Sequence, residues 1–339
     1  MVTLKDIARE CNVSFSTVSK ALKGSNEISA DTIAIIQNKA AEMGYHPNIA
    51  ARTLRTNRTY DIGVIFEDKT GSGFQHQYFA KIISGLQEII QNNSYDLTFT
   101  GPAVNQPYDY YKHIIGRNFD GVVILSADFN RPDLTEVIKS GIPTVALDYI
   151  YDKNHISVIS DNKQGMSELM EYIISMGHTR IAMIHGEDTG VTKERKEIFI
   201  ETAAKHGIKI PKEYFVEALY HDPFTSAEGT SYLLSLPEPP TCICFPDDYS
   251  ALGGIREINS RNLTPGKDIS IAGYDGIMLT SMMLPPLTTY EQDGEMIGRC
   301  LAESLINQIE GKYSKPEEFK PKLISGRLLK GGTIANISK

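Results

Sequence analysis

The sequence predicts an N-terminal all-α helix-turn-helix domain with a hinge helix, followed by a two-lobed α/β core of doubly wound parallel sheets. Three observations predict it. Helix start signals recur three times before residue 45, and a short arginine-rich stretch follows at 47–58. From Asp61 onward, short apolar runs alternate with helix-length amphipathic stretches. At 339 residues the chain is too long for one ordinary core.

Hydrophobic residues make up 41% and charged residues 22%, which excludes collagen-like and disordered classes. No window approaches the roughly 18 uninterrupted apolar residues of a membrane span. Met1–Asp6 carries no basic-then-apolar export signal, so a cytoplasmic location is expected and no membrane partner. The four cysteines are scattered, and Cys242 and Cys244 without a second cluster make a poor metal site. No cofactor or metal is expected. The net charge of −8 is unevenly spread. Residues 1–60 hold eight Lys/Arg against five Asp/Glu, leaving 26 basic and 37 acidic residues beyond them. A basic head sits on an acidic body.

In the head, Thr3 and Asp6 make a variant capping box ahead of Leu4, Ile7, Ala8 and Cys11 at helical spacing. After a break at Asn12-Val13, Ser14 caps a helix from Phe15 to Leu22. Ser29 caps a third, with Ile33, Ile36, Ala40 and Met43 inward and Gly44 stopping it. Val18 and Leu22 point at the first helix, which leaves Phe15, Ser16, Ser19 and Lys20 outward. Such a pair of helices is a helix-turn-helix, whose second member is shaped for a major groove. A protein-docking bundle is the bland alternative. Residues 47–58 open with Pro47 and Asn48 and place three arginines around Leu54 and two alanines. A segment that folds on DNA and wedges Leu54 into the minor groove needs this composition; an ordinary basic linker also fits it.

The string Thr3-Leu-Lys-Asp-Ile-Ala-Arg9, Val13-Ser14, Thr17-Val18-Ser19, Gly44-Tyr45-His-Pro47-Asn48 and Ala51-Arg52-Thr53-Leu54 strongly resembles the lactose-repressor (LacI/GalR) family of bacterial transcription regulators. The likeness continues through Gly177-His178-Thr-Arg180, Ala251-Leu252-Gly253, Gly273-Tyr274-Asp275 and Pro285-Pro286-Leu287-Thr288-Thr289, in the family's order along essentially the whole chain. The resemblance implies a homodimer reading a near-palindromic operator in double-stranded DNA. It places Phe15, Ser16, Thr17 and Lys20 at base-contacting positions, with Ala51 and Leu54 in the hinge. Lys5, Arg9, Asn48 and Arg55 suit phosphates rather than sequence readout.

Strands are expected at Ile62–Phe66, Leu97–Thr100, Gly121–Leu125, Thr144–Leu147, Ser157–Ile159, Ile181–Ile184, Phe215–Leu219, Cys242–Phe245 and Ile269–Ala272. Helices are expected at Tyr78–Ile90, Gly165–Met176, Thr192–His206 and Ser250–Asn259. More than two hundred residues of alternation argue for two lobes. The resemblance implies a periplasmic-binding-protein-like core crossed three times by the chain. On that pattern 1–46 is the DNA-binding domain, 47–60 the hinge and linker, and 61–339 the core. Lobe 1 takes about 61–160 and 292–322, and lobe 2 about 161–291 and 323–339.

Ligands of open α/β sheets sit beyond the carboxyl ends of strands. Asp148, Asp161, Asp247, Asp248 and Asp275 end strands here, Asp248 and Asp268 reading as helix caps. The resemblance singles out Asp161, Arg195, Phe224, Asp247 and Asp275 as effector contacts in lobe 2, and Phe74, His76 and Gln77 as candidates in lobe 1. Carboxylates accept hydroxyl donors, arginine donates a fork and an aromatic ring covers a sugar face, so a small polyhydroxylated effector, a sugar, is expected. Two departures stand out: Asp247 replaces the family's usual Asn, and Ile198 a common glycine. Read singly, a strand-terminal Asp is often only a helix cap, and Arg195 in Lys193–Glu197 reads as a solvated charge. No Gly-x-Ser-x-Gly, phosphate loop or His-Glu-x-x-His is present, so no enzyme is expected. The alternatives are a purine or protein corepressor with the same DNA role, or a sugar receptor without one.

Overall fold

The computed structural model describes residues 2–22, 25–45, 53, 58–67, 73–101, 108–152, 155–313 and 320–338. Its two units are Met1–Thr59 and Tyr60–Lys339. In the first, helices Leu4–Glu10, Phe15–Ala21 and Ala30–Glu42 begin at the expected caps. The Asp6 carboxylate accepts the Thr3 N–H at 2.9 Å, and Ser14 and Ser29 accept the N–H groups of Thr17 and Thr32. Each such cap stabilises its helix by about 1 kcal/mol. Ile7, Ala8, Val18, Ala21, Ile36 and Ala40 form the buried core, and Leu22, Ile33 and Met43 pack at its edge.

The second unit contains two six-stranded sheets. The first joins β1 (Asp61–Phe66), β2 (Asp96–Thr100), β3 (Gly121–Ser126), β4 (Thr144–Leu147), β5 (Ile156–Ser160) and β11 (Lys322–Ile324) in the order β11-β5-β4-β3-β1-β2. The second joins β6 (Ile181–His185), β7 (Phe215–Glu217), β8 (Cys242–Cys244), β9 (Ser270–Asp275), β10 (Thr288–Glu291) and β12 (Arg327–Leu329) as β12-β10-β9-β8-β6-β7. Val64, Val123 and Val145 face one core and Ile65, Val122, Ile124 and Ala146 another, so the central strands β1, β3 and β4 are buried on both sides. That is why the strands read as continuous apolar runs. Each fully buried Val, Leu or Ile contributes roughly 1.5–3 kcal/mol.

All nine expected runs are strands. β10, β11 and β12 did not show as runs, because they are short, partly polar and lie where the chain passes between lobes. The chain crosses after Ser160, after Glu291 and after Ile324, the last two residues later than the expected 322. β11 arrives parallel to β5, crosses through Ser325-Gly326, and leaves as β12 antiparallel to β10. Only glycine fits at 326, since a Cβ there would lie 2.0 Å from the Glu291 carbonyl oxygen on the neighbouring crossing.

Candidate functional site

The head presents one face by itself. Phe15 is 49% exposed, and Ser16, Lys20, Lys5 and Arg9 are exposed as well. Thr17 is half-buried, and its hydroxyl is 2.8 Å from Ser14 Oγ, so it stiffens the start of the helix. Lys20 pairs with Glu27, and Arg9 with Asp6 at 3.0 Å. Such exposed pairs are worth about 0–1 kcal/mol, little enough for a phosphate or a guanine edge to displace. The hinge candidates Asn48, Ala51, Leu54 and Arg55 lie outside the described residues.

In the core, the carboxyl ends of both sheets meet at a cavity of about 340 Å³, its open mouth included. Gln75, His76 and Gln77 line it from the first lobe, and His221, Asp247, Tyr249, Asp275, Ile277 and Leu279 from the second. Asp275 ends β9 at φ +101, a strained conformation for a residue with a side chain. Its Oδ1 accepts the Gln292 amide at 2.7 Å. Burial pushes its carboxyl well above the usual range, and neighbouring Asp247 adds to this while Arg195 opposes it. Asp247 caps the helix Asp248–Ser260: its carboxylate accepts the Ser250 N–H and hydroxyl and the His221 N–H, all within 2.8 Å.

Arg195 is 5% exposed, despite its place among Lys193, Glu194, Lys196 and Glu197. Its guanidinium lies 3.8 Å from the Tyr274 ring centroid, and its Nε donates to Asn162 Oδ1 at 2.8 Å. The helix Gly190–Lys205 thus turns one charge inward while its flanking charges face out. On the first-lobe side, Asp148 sits at φ +51 and accepts the Ser160 N–H at 2.6 Å and the Ser160 hydroxyl at 3.1 Å. Burial raises its carboxyl, and Arg195 pulls it back. The Tyr78 hydroxyl lies 3.1 Å from Ser160 Oγ.

Two expected contacts lie off the cavity lining, and one expected helix cap shifts by a residue. Asp161 does not line the cavity: it caps the helix Asn162–Ser175 through Gln164 N–H at 2.9 Å, and the next residue, Asn162, is the one that reaches Arg195. Phe224 is 67% exposed in the first turn of the helix Pro223–Leu234, beside Arg256, and is not among the residues that line the cavity. The ring there is His221, three residues earlier, at φ +55. Asp247, not Asp248, is the helix cap. Asp248 is wholly buried and accepts from Ile277 N–H, Thr280 and Thr289, with burial pushing it up to about 7. His76 is buried at the cavity, and Gln77 accepts the Met278 N–H across the lobes at 3.0 Å. Phe74 lies in the short turn Gly73–Gln75, its side chain outside the described set. Ile198 is buried in the second-lobe core. The residues that sequence reasoning missed here are His221, Tyr249, Asn162 and Gln292. A flat ring two residues before Pro223, in the loop after β7, was the available signal for His221.

Among the described residues no cluster of three or more His, Cys, Asp or Glu side chains could hold a metal, and no helix is long and apolar enough to cross a membrane. Residues 3–48 match the family described as bacterial regulatory proteins, lacI family, and residues 170–333 a periplasmic binding protein-like domain. A probable HTH-type transcriptional repressor, ExuR of Bacillus subtilis (strain 168), is 32% identical over 94% of this chain and 95% of its own. The chain belongs to the lacI family. Another relative of this lacI-family chain, the HTH-type transcriptional repressor PurR of Pasteurella multocida (strain Pm70), is 29% identical over 97% of the chain and 99% of its own. The lac repressor dimer bound to operator and the anti-inducer ONPF shares the fold with a TM-score of 0.82 at 23% identity, covering 98% of this chain and 99% of that one.

Proposed function

We propose that this lacI-family chain is a cytoplasmic transcriptional repressor, not an enzyme, that binds operator DNA as a homodimer under control of a small polyhydroxylated effector, a sugar. One observation carries the reading: a helix-turn-helix with an exposed basic and polar face shares a chain with a cavity walled by residues from two lobes. In the head, Ser16, Lys20 and Phe15 read base edges, Lys5 and Arg9 hold phosphates, and Thr17 sets the helix start. Asn48, Ala51, Leu54 and Arg55 serve the hinge, with Leu54 as the minor-groove wedge.

In the cavity, Asp275 and Asp247 accept effector hydroxyls, Arg195 donates from beneath, and His221 supplies a ring face. Tyr78 and Asp148 complete the first-lobe wall. An effector that touches both walls binds the closed arrangement better than the open one, and that differential affinity is all that can shift operator binding.

The test is operator selection from random duplexes followed by titration with sugars and purines. A salt-steep, sequence-selective complex that one sugar strengthens or dissolves supports the reading. Lys20→Ala is expected to weaken the selected site by about 1–3 kcal/mol and relax its sequence preference. Failure of the intact dimer to bind any duplex at low salt rules the reading out.

A further inference from the structure

The cavity already holds a stack of rings. The His76 imidazole from the first lobe lies 4.1 Å from the His221 imidazole of the second, with 20° between planes. The Tyr249 ring lies 4.1 Å from His221 with 9° between planes. His76 is also 4.9 Å from Phe79, edge to face, within its own lobe. His221 is therefore sandwiched, one face covered by its own lobe and the other by the opposite lobe. Gln77 accepts the Met278 N–H at 3.0 Å, and Lys81 donates to the Gly276 carbonyl at 3.3 Å, so the helix that follows His76 is docked on the second lobe where β9 ends.

A ligand ring stacked between two rings needs two successive van der Waals contacts, about 7–8 Å between their centroids. The imidazoles stand at 4.1 Å, with no such space. We propose that His76 is a built-in competitor for the effector: it occupies the face of His221 that a ligand ring would use and must be displaced when one binds. The inference rests on the cavity being the effector site. It makes His76 a selectivity residue, because a ligand whose ring face, a sugar's apolar face included, stacks strongly enough to displace the imidazole enters and one that does not stack is kept out. It also reverses the sign expected of a simple contact residue. Removing a contact weakens binding, whereas removing a competitor strengthens it.

The experiment has two arms, each using wild type, His76→Ala and His76→Phe of the full chain, with circular dichroism to verify folding. In the first arm, proton NMR of the imidazole Cε1–H signals is recorded without any ligand. The His221 signal, assigned by its loss in His221→Ala, is expected upfield in wild type, downfield in His76→Ala, and upfield again in His76→Phe. An unmoved His221 signal in His76→Ala overturns the stack. In the second arm, cellobiose, glucose, ribose and galacturonate are titrated calorimetrically. Binding about two- to tenfold tighter in His76→Ala than in wild type, as loss of one aromatic pair gives, supports the competitor, as does a sugar that binds His76→Ala alone. Weaker binding overturns it and makes His76 an ordinary contact. A stack seen by NMR with none of the sugars bound by any variant removes competition with sugars and leaves only a closure contact, which counts against the proposal and separates it from failure of DNA binding.

Discussion

Each sheet brings an aspartate with positive φ to the cleft at the corresponding place: Asp148 just beyond β4 and Asp275 at the end of β9. Each is held from the next strand over, Asp148 by Ser160 at the end of β5 and Asp275 by Gln292 just past β10. The lobes part ways in what surrounds these carboxylates. After β3, Asp128 is exposed and accepts from Asn130, while after β8, Asp247 and Asp248 are both buried. The second lobe also supplies Arg195, and the first answers with Tyr78 and Ser160. One fold repeated twice thus yields one charged wall and one mostly neutral wall. Two carboxylates and a cation stand on the second lobe, and one carboxylate with two hydroxyls stands on the first.

The largest test of that asymmetry is Arg195→Ala. It leaves Asp275, and Asp148 across the cleft, without their buried cation, and about 3–5 kcal/mol of stability is expected to be lost together with the effector response. Urea unfolding and calorimetry check this. A loss under 1 kcal/mol with an intact ligand titration would place Arg195 outside the site and break the contrast between the lobes.

Next comes pH. Burial holds the Asp248 carboxyl at about 7 against an ordinary 3.8, so the folded state keeps the proton longer than the unfolded chain does. The stability this gives is full below about pH 4 and is lost as pH rises through about 7, a span worth up to roughly 4 kcal/mol. Urea midpoints at pH 4.5, 6 and 7.5 are expected to fall accordingly in wild type, and Asp248→Asn to lessen the slope, with Asp148 and Asp275, raised in the same direction, keeping the remainder. Equal slopes in both would locate the pH dependence elsewhere.

The paired residues that hold the two aspartates sharpen the comparison. Gln292→Ala removes a buried partner of Asp275 and is expected to cost about 1–3 kcal/mol, with Ser160→Ala nearer the lower end because the Ser160 N–H still reaches Asp148. The smallest effect belongs to the head: Ser14→Ala removes one helix cap, about 1 kcal/mol, read as a lowered melting temperature with the core transition unmoved.

The parallel strands were legible because burial on both faces writes them as unbroken apolar runs. β10, Thr-Thr-Tyr-Glu, was not, because its side chains serve the crossing: Thr289 donates to Asp248 and Glu291 accepts from Arg327. The site was legible where a motif fixed the register, at Asp275 after Gly273-Tyr274. At Asp161 the structure shows a helix cap, and the adjacent Asn162 is the residue that meets Arg195. Phe224, placed by the resemblance, stands three residues beyond His221, the ring that lines the cavity from the loop ahead of the helix. Arg195 shows the converse: five charged residues in a row hide one that the helix rotates inward.

The positive φ shared by Asp148 and Asp275 also bears on how such a regulator diversifies. At those backbone angles asparagine and glycine are tolerated where most other side chains are strained. An aspartate codon becomes an asparagine codon by one base change, which replaces a carboxyl oxygen by an amide nitrogen while leaving the main chain at rest. A change of hydrogen-bonding character is therefore within reach of single mutations at two corresponding points, with no need to rebuild the scaffold that carries them.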